Sequence, residues 1–309
     1  MSDSTIAVTI RGPRLARWVA PGSFFRRLTA RRLPAISLVI VAVFLVAALL
    51  APLIAPQDPL KIDFYGANEG FWTRTPTGLH ILGTDNTGRD TLSRLLFGAR
   101  ISIQVGFVAV GIGMAAGMTL GLVAGFRGGL LGEVIMRIMD GMMVFPGLLL
   151  ALAIASALGP SITNVFFALG IVSVPVYARI MRGQVLSIRE TDYVLAAHAI
   201  GAKRIRISIV HIFPNSLAPL IVQGTLAFGR AIIAEAGLSF LGVGIQPPDP
   251  SWGVMLSDAK GFLEQNPIQA IAPGLSIFVV VLAINLLGDG LREALDPRLR
   301  GTGTIKPSG

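Results

Sequence analysis

The side chains in this sequence that could do chemistry are few, and their spacing excludes most catalytic designs. There is no cysteine, so thiol nucleophiles, disulfides and Cys-based metal sites are ruled out. His80, His198 and His211 form no H-E-x-x-H pair, and each reads as a polar surface or coupling residue, not a ligand. None of Lys61, Lys203, Lys260 and Lys306 is followed by Ser or Thr, so the G-x-x-x-x-G-K-[ST] phosphate loop is missing. G-x-S-x-G is absent as well. No metal site, cofactor or catalytic constellation is expected. Two features remain. Arg230 and Glu235 sit in a long apolar run, where ionisable groups usually face a cavity or a partner. They either line a pathway or make a structural pair, although a spacing of five suits a pair on one helix poorly. The other feature is YVLAAHAIGAKRIRISIVHIFPN, Tyr193 to Asn215, a basic, alanine-rich stretch between two apolar runs.

The elements that position these residues are membrane helices. The chain of 309 residues is 53% hydrophobic and 14% charged, against about 25% charged in soluble domains. Its mean hydropathy is +0.71. Six segments reach the roughly 20 apolar residues of a span: Ala35–Ile54, Ile101–Phe126, Ile138–Leu158, Ile162–Ile180, Leu217–Leu238 and Ile271–Leu291. Ala35–Ile54 is too long for a signal-peptide core and runs into Pro52 and Pro56, so it reads as an uncleaved first span. The net charge of +9 reads as basic cytoplasmic segments, not as a nucleic-acid surface.

By the positive-inside rule, Arg11, Arg14, Arg17, Arg26, Arg27, Arg31 and Arg32 keep the N-terminus in the cytoplasm. Sides then alternate, with Pro56–Arg100 and Ser239–Ala270 outside and Met181–Ser216 and the C-terminus inside. The expected fold is all-α and polytopic, N-in and C-in. Gly113, Gly117, Gly121 and Gly125 form a small-residue stripe for close helix packing. Pro175, Pro219 and Pro273 lie in or at spans and are expected to kink them.

The stretch at Tyr193 thus falls on the cytoplasmic side. Tyr193, Ala196, Ala197 and Ile200 share one helical face, and Gly201 can end that helix. A second short helix is expected to turn Ile205, Ile209 and Ile212 inward and Lys203, Arg204 and Arg206 outward. A helix–turn–helix held below the membrane suits docking into a groove on another protein. Lying on anionic lipid is the alternative, for which Ala196, Ala197 and Ala199 are poor anchors.

This stretch resembles the EAA loop of ABC importer permeases. Ala196, Ala197, Gly201 and Pro214 stand at matching positions, with Leu195 in place of the Glu, His211 of the Ile and Phe213 of the Leu. GTDNTGRDTLSRLLFGARIS (Gly83 to Ser102), MDGMMVFPGLLLA (Met139 to Ala151), EAGLSFLGVGIQPPDPSWGVML (Glu235 to Leu256) and NLLGDGLREALDPRLR (Asn285 to Arg300) are similar to the C-type permease of dipeptide and oligopeptide importers. The segment from Arg32 to Pro59 resembles that family's N-terminal part.

The resemblance implies a permease subunit in the bacterial inner membrane that is not itself an enzyme. Its partners would be a homologous second permease, two ATPase subunits and an extracytoplasmic peptide-binding protein. Ala196, Ala197, Gly201 and Ala202 would make the close ATPase contact, beside Tyr193, with Arg204 and Arg206 as its rim. The implied organisation is a basic segment (1–33), a first span with its outer loop (34–100), a permease core (101–295, coupling segment 190–212) and a cytoplasmic tail (296–309). Asp85, Arg89 and Asp90 lie in an outer loop that forms either a docking platform or a compact cap. Pro248 and Trp252 belong to a gate or docking surface, or to an interfacial loop with an aromatic anchor. Nickel chelates and glutathione are alternative substrates within the family. A secondary carrier is the rival of another class, and it would need a coupling-ion site and often internal repeats.

Overall fold

The computed structural model describes Leu28 and residues 31–295. Most N-terminal arginines, Arg298, Arg300, Lys306 and the tail 296–309 lie outside those residues. The described chain is built from long helices with one small hairpin. Helix α1 spans Arg32–Leu49 and is followed by a single turn at Ala51–Ile54. Strands β1 (Thr73–Thr75) and β2 (Gly78–His80) pair antiparallel. Then come α2 (Thr91–Arg127), α3 (Gly129–Val144), α4 (Gly147–Leu158), α5 (Ile162–Ile188), α6 (Asp192–Ala199), α7 (Arg204–Phe240), α8 (Trp252–Ala259) and α9 (Ile268–Leu295). α1, α2, α5, α7 and α9 are each long and apolar enough to cross a membrane, and α3 with α4 makes a bent sixth candidate.

The helices extend beyond the hydropathy segments. α2 begins ten residues before Ile101, because Asp90 caps it by accepting a 2.7 Å hydrogen bond from the Ser93 amide. Residues 91–100, expected in an outer loop, are therefore its first turns. The third expected span is not one straight helix. Its arms α3 and α4 meet at 95°, and α3 begins at Gly129 instead of Ile138. Pro146 has no amide to continue α3, and it holds Phe145 in extended backbone. Pro175, Pro219 and Pro273 lie within continuous helices.

The bundle forms around α2 and α5. Gly117 faces Val174 and Tyr177, Gly121 faces Ala178 and Met181, and Gly125 faces Val185. A methyl on Gly117 would come within 2.6 Å of the Val174 carbonyl oxygen, and one on Gly121 within 2.7 Å of Met181 Cβ. The two helices therefore touch backbone to backbone, and the rising register on both makes them parallel. α7 runs antiparallel to α2, with Phe228 against Gly106 and Gly224 against Val110. α9 packs on α7 through Gly229 and Gly288, and Pro34 of α1 closes on Gly290.

Gly117→Leu should destabilise this pair by about 1–3 kcal/mol or more, the cost of overpacking a close contact. Gly111, on the same helix, faces open space, so Gly111→Ala should be neutral or slightly stabilising. Thermal unfolding of the two detergent-purified variants beside the parent checks this.

Candidate functional site

Three regions gather the candidate residues. The first is α6 and the turn after it, at the end of the bundle away from the hairpin. Gly201 has φ +79°, donates its amide to His198 O at 3.0 Å, and lets the Ala202 amide reach Ala197 O at 3.0 Å. This pair of bonds is a Schellman motif, which needs a left-handed residue at the Gly201 position. Val194 and Ala197 are buried with Val185, Ile188, Ile207 and Ile212, and they seat α6 on α5 and α7. Tyr193, Leu195, Ala196, Ile200, Gly201, Lys203, Arg204 and Arg206 are exposed, and Ala202 is half-buried.

The inward faces differ from those read from spacing. Ala197 turns toward its own bundle, because Val194, three residues earlier, is the larger apolar group on that stripe. After the turn, Ile207, Ser208 and Ile212 are buried, whereas Ile205 and Ile209 are exposed. The reason is a π-helical turn at Ile207–Ile212, in which the Phe213 amide bonds Ser208 O. Bonds from i to i+5 put residues five apart on one face. Nor is there a free second helix, since Arg204–Arg206 runs through the π turn into α7. The exposed apolar groups are large. Ile200 is 85% exposed and Ile205 75%.

The second region is a cavity of about 300 Å³ between α2, α4, α5 and α7. Gly147 and Leu148, just past the α3–α4 bend, form one wall. Ala109, Ala227, Ala231 and Ala234 form much of the remainder. The polar groups on its lining are Arg230, Gln223, Ser173 and Tyr177. Arg230 and Glu235 do not pair with each other. Glu235 is fully buried away from the cavity, where its Oε1 accepts a 2.8 Å bond from Ser239 Oγ.

The third region is a polar cap formed by residues 56–90, the 241–250 loop and α8. Asp85, Arg89, Asp90 and Trp252 are all buried in it, and Pro248 is exposed. Arg89 Nε pairs with Asp85 at 2.7 Å. Arg94, which spacing did not single out, is the hub. Its Nε lies 3.4 Å from Asp85, and its Nη1 donates to Pro248 O at 3.1 Å and Pro59 O at 3.4 Å. Asp258 is within 3.4 Å of Arg89 and 3.9 Å of Arg94, and burial raises its pKa despite both arginines. His80 is a buried residue, not a surface one. Its Nδ1 is 2.9 Å from Asp90 and its Nε2 3.0 Å from Thr75 Oγ1. The Trp252 indole donates to Leu95 O at 3.0 Å and covers Gly98. The buried charges Asp85, Arg89, Asp90, Arg94 and Asp258 are held in internal pairs, whereas Asp58, Lys61, Glu69 and Arg74 of the same loop are exposed. Trp252 faces the protein interior and anchors nothing in lipid.

Comparison with known proteins adds identity to this geometry. The family described as "Binding-protein-dependent transport system inner membrane component" matches residues 117–301. "N-terminal TM domain of oligopeptide transport permease C" matches residues 22–71. The chain is 45% identical over 276 residues, 89% of each chain, to the dipeptide transport system permease protein DppC of Alkalihalophilus pseudofirmus. It is 46% identical over 255 residues, 82% of this chain and 84% of the relative, to the di/tripeptide transport system permease protein DppC of Pseudomonas aeruginosa. It is 44% identical over 279 residues, 90% of each, to the glutathione transport system permease protein GsiD of Shigella flexneri.

Arg94→Ala would leave the buried Asp85 short of a partner. A loss of about 3–5 kcal/mol is expected, seen as a lower unfolding temperature and faster proteolysis of the cap. Asp140→Asn removes the half-exposed pair with Arg179, and should cost at most about 1 kcal/mol.

Proposed function

We propose that this chain, which belongs to the binding-protein-dependent transport system inner membrane component family, is the permease through which an ATP-driven importer carries dipeptides or oligopeptides into the cell. The family fixes the coarse statement: an inner-membrane translocation component with several spanning helices and no enzymatic role of its own. The peptide substrate follows from the dipeptide and di/tripeptide permeases among its relatives. Glutathione, itself a tripeptide, is a second reading supported by the 44% identity to a glutathione permease.

The observation that carries the mechanism is the exposed apolar surface at the Gly201 turn. Ile200 and Ile205 stand in the open among Lys203, Arg204 and Arg206. Burying one such side chain is worth about 1.5–3 kcal/mol, and the likeness of this turn to the ATPase-docking loop of importer permeases favours a protein partner over lipid. In the N-in, C-in arrangement it faces the cytoplasm, the cap lies outside, and the segments 1–33 and 296–309 flank the core on the inner side. An ATPase subunit docks there, one of two beneath a heterodimer of homologous permeases. The extracytoplasmic binding protein delivers peptide from the cap side, with Pro248 on the exposed edge of its approach.

Closure of the ATPase pair pushes on α6. Val194 and Ala197 pass that push to α5 and α7, and the glycine contact makes α2 follow α5. Helices coupled in this way move as one body between inward-open and outward-open states, a two-state element biased from a distance. The cavity beside Arg230 lies on the path that this motion opens.

Because the chain lacks cysteine, a single Cys at Ala202 can be cross-linked in native membranes. An ATPase subunit in the product is expected; none, with that Cys fully labelled, would remove the docking assignment. Ile200→Asp with Ile205→Asp should reduce ATPase co-purification about ten-fold or more. Gly201→Val, strained at positive φ, should cut peptide uptake strongly while the protein still reaches the membrane.

A further inference from the structure

We propose that Arg230 and the Tyr177 hydroxyl form a carboxylate subsite in the cavity, which takes the C-terminal carboxylate of the peptide in transit. This inference rests on the peptide-permease reading above. Arg230 makes no ion pair with any described residue. An arginine within a membrane span is costly unless it meets a partner or a cavity, and this one lines the cavity. Tyr177 is independent evidence. It is a lining residue of the same cavity, it is 0% exposed, and its hydroxyl is buried with no hydrogen-bond partner. A buried hydroxyl without a partner costs free energy that a ligand can recover.

The class of ligand follows from the donor set. A guanidinium and a phenol offer hydrogen bonds and positive charge, the complement of a carboxylate. Apart from Gln223 and Ser173, the remaining wall is alanine, glycine and branched aliphatic carbon, which offers little to select a particular side chain. A permease that passes peptides of varied sequence must hold what they share, and every free peptide shares its terminal carboxylate. The volume of about 300 Å³ matches the small end of ligand pockets and suits a dipeptide.

The test uses the complete importer in proteoliposomes with its binding protein, supplied with Ala-Ala or its C-terminal amide. Uptake is expressed per loaded binding protein, so that protein's own selectivity is divided out. The parent should favour the free acid about ten-fold, the size of one lost charge-assisted contact. R230Q should bring that preference close to unity, R230K should restore part of it, and Tyr177→Phe should lower it less. An unchanged preference in R230Q overturns the subsite. If R230Q fails to assemble with its partner subunits, the isosteric Tyr177→Phe decides, and an unchanged preference there overturns it equally. If the parent carries neither compound, the peptide reading itself fails, and the subsite with it.

Discussion

The structure depends on one contact, the backbone-to-backbone approach of α2 and α5 along Gly113, Gly117, Gly121 and Gly125. In a bilayer the hydrophobic effect does little to hold helices together, because lipid tails are as apolar as leucine. Close packing must do that work, and glycine permits the closest packing. With this pair fixed, α7 has a defined groove in which to lie antiparallel, with Phe228 filling the space over Gly106. α9 then has Gly229 and Gly288 as its seats, and α1 closes the bundle. The bend at Phe145–Pro146 fits the same logic. It turns the chain by 95° into α4, which packs on α5 and supplies Gly147 and Leu148 to the cavity wall.

The cap follows a different rule. It is built from charge and hydrogen bonds, with Arg94 tying Asp85, Pro59 and Pro248 to α8 through Asp258. Asn266 and Gln269 reach the carbonyl of Thr84 from the start of α9. Buried ionic groups add little net stability over apolar ones, but removing one member is severe. The cap is therefore a joint that tolerates little partial loosening. Its attachment to α2, α8 and α9 ties the motion of the polar end to that of the helices below.

Hydropathy located the membrane helices because their apolar runs are long, and the glycine stripe was visible because its spacing is regular. The left-handed turn at Gly201 was readable for a similar reason: glycine after an alanine-rich helix has one common use. What escaped was set by tertiary context. Nothing local marks Ile207–Ile212 as a π turn, so the assignment of Ile205 and Ile209 to the inside followed the wrong period. Arg94 looks like any helix-surface arginine until the 241–250 loop folds over it. His80 gave no sign of burial because its partners, Thr75 and Asp90, are in contact only once the hairpin forms. In the pair Arg230 and Glu235, the odd spacing was informative: the two point to different surroundings.

Leu195 stands where the resembled motif has a glutamate, and it is exposed on α6, as is Ile200 at the end of that helix. A glutamate there would make an ionic contact, and a contact between exposed charges weakens as ionic strength rises. A leucine in its place shifts the surface toward apolar contact, which dissolved ions do not screen. This position therefore offers apolar burial where the resembled motif offers charge. If a partner docks on this surface as proposed, the contact should hold at ionic strengths that would loosen a more ionic version of the same joint.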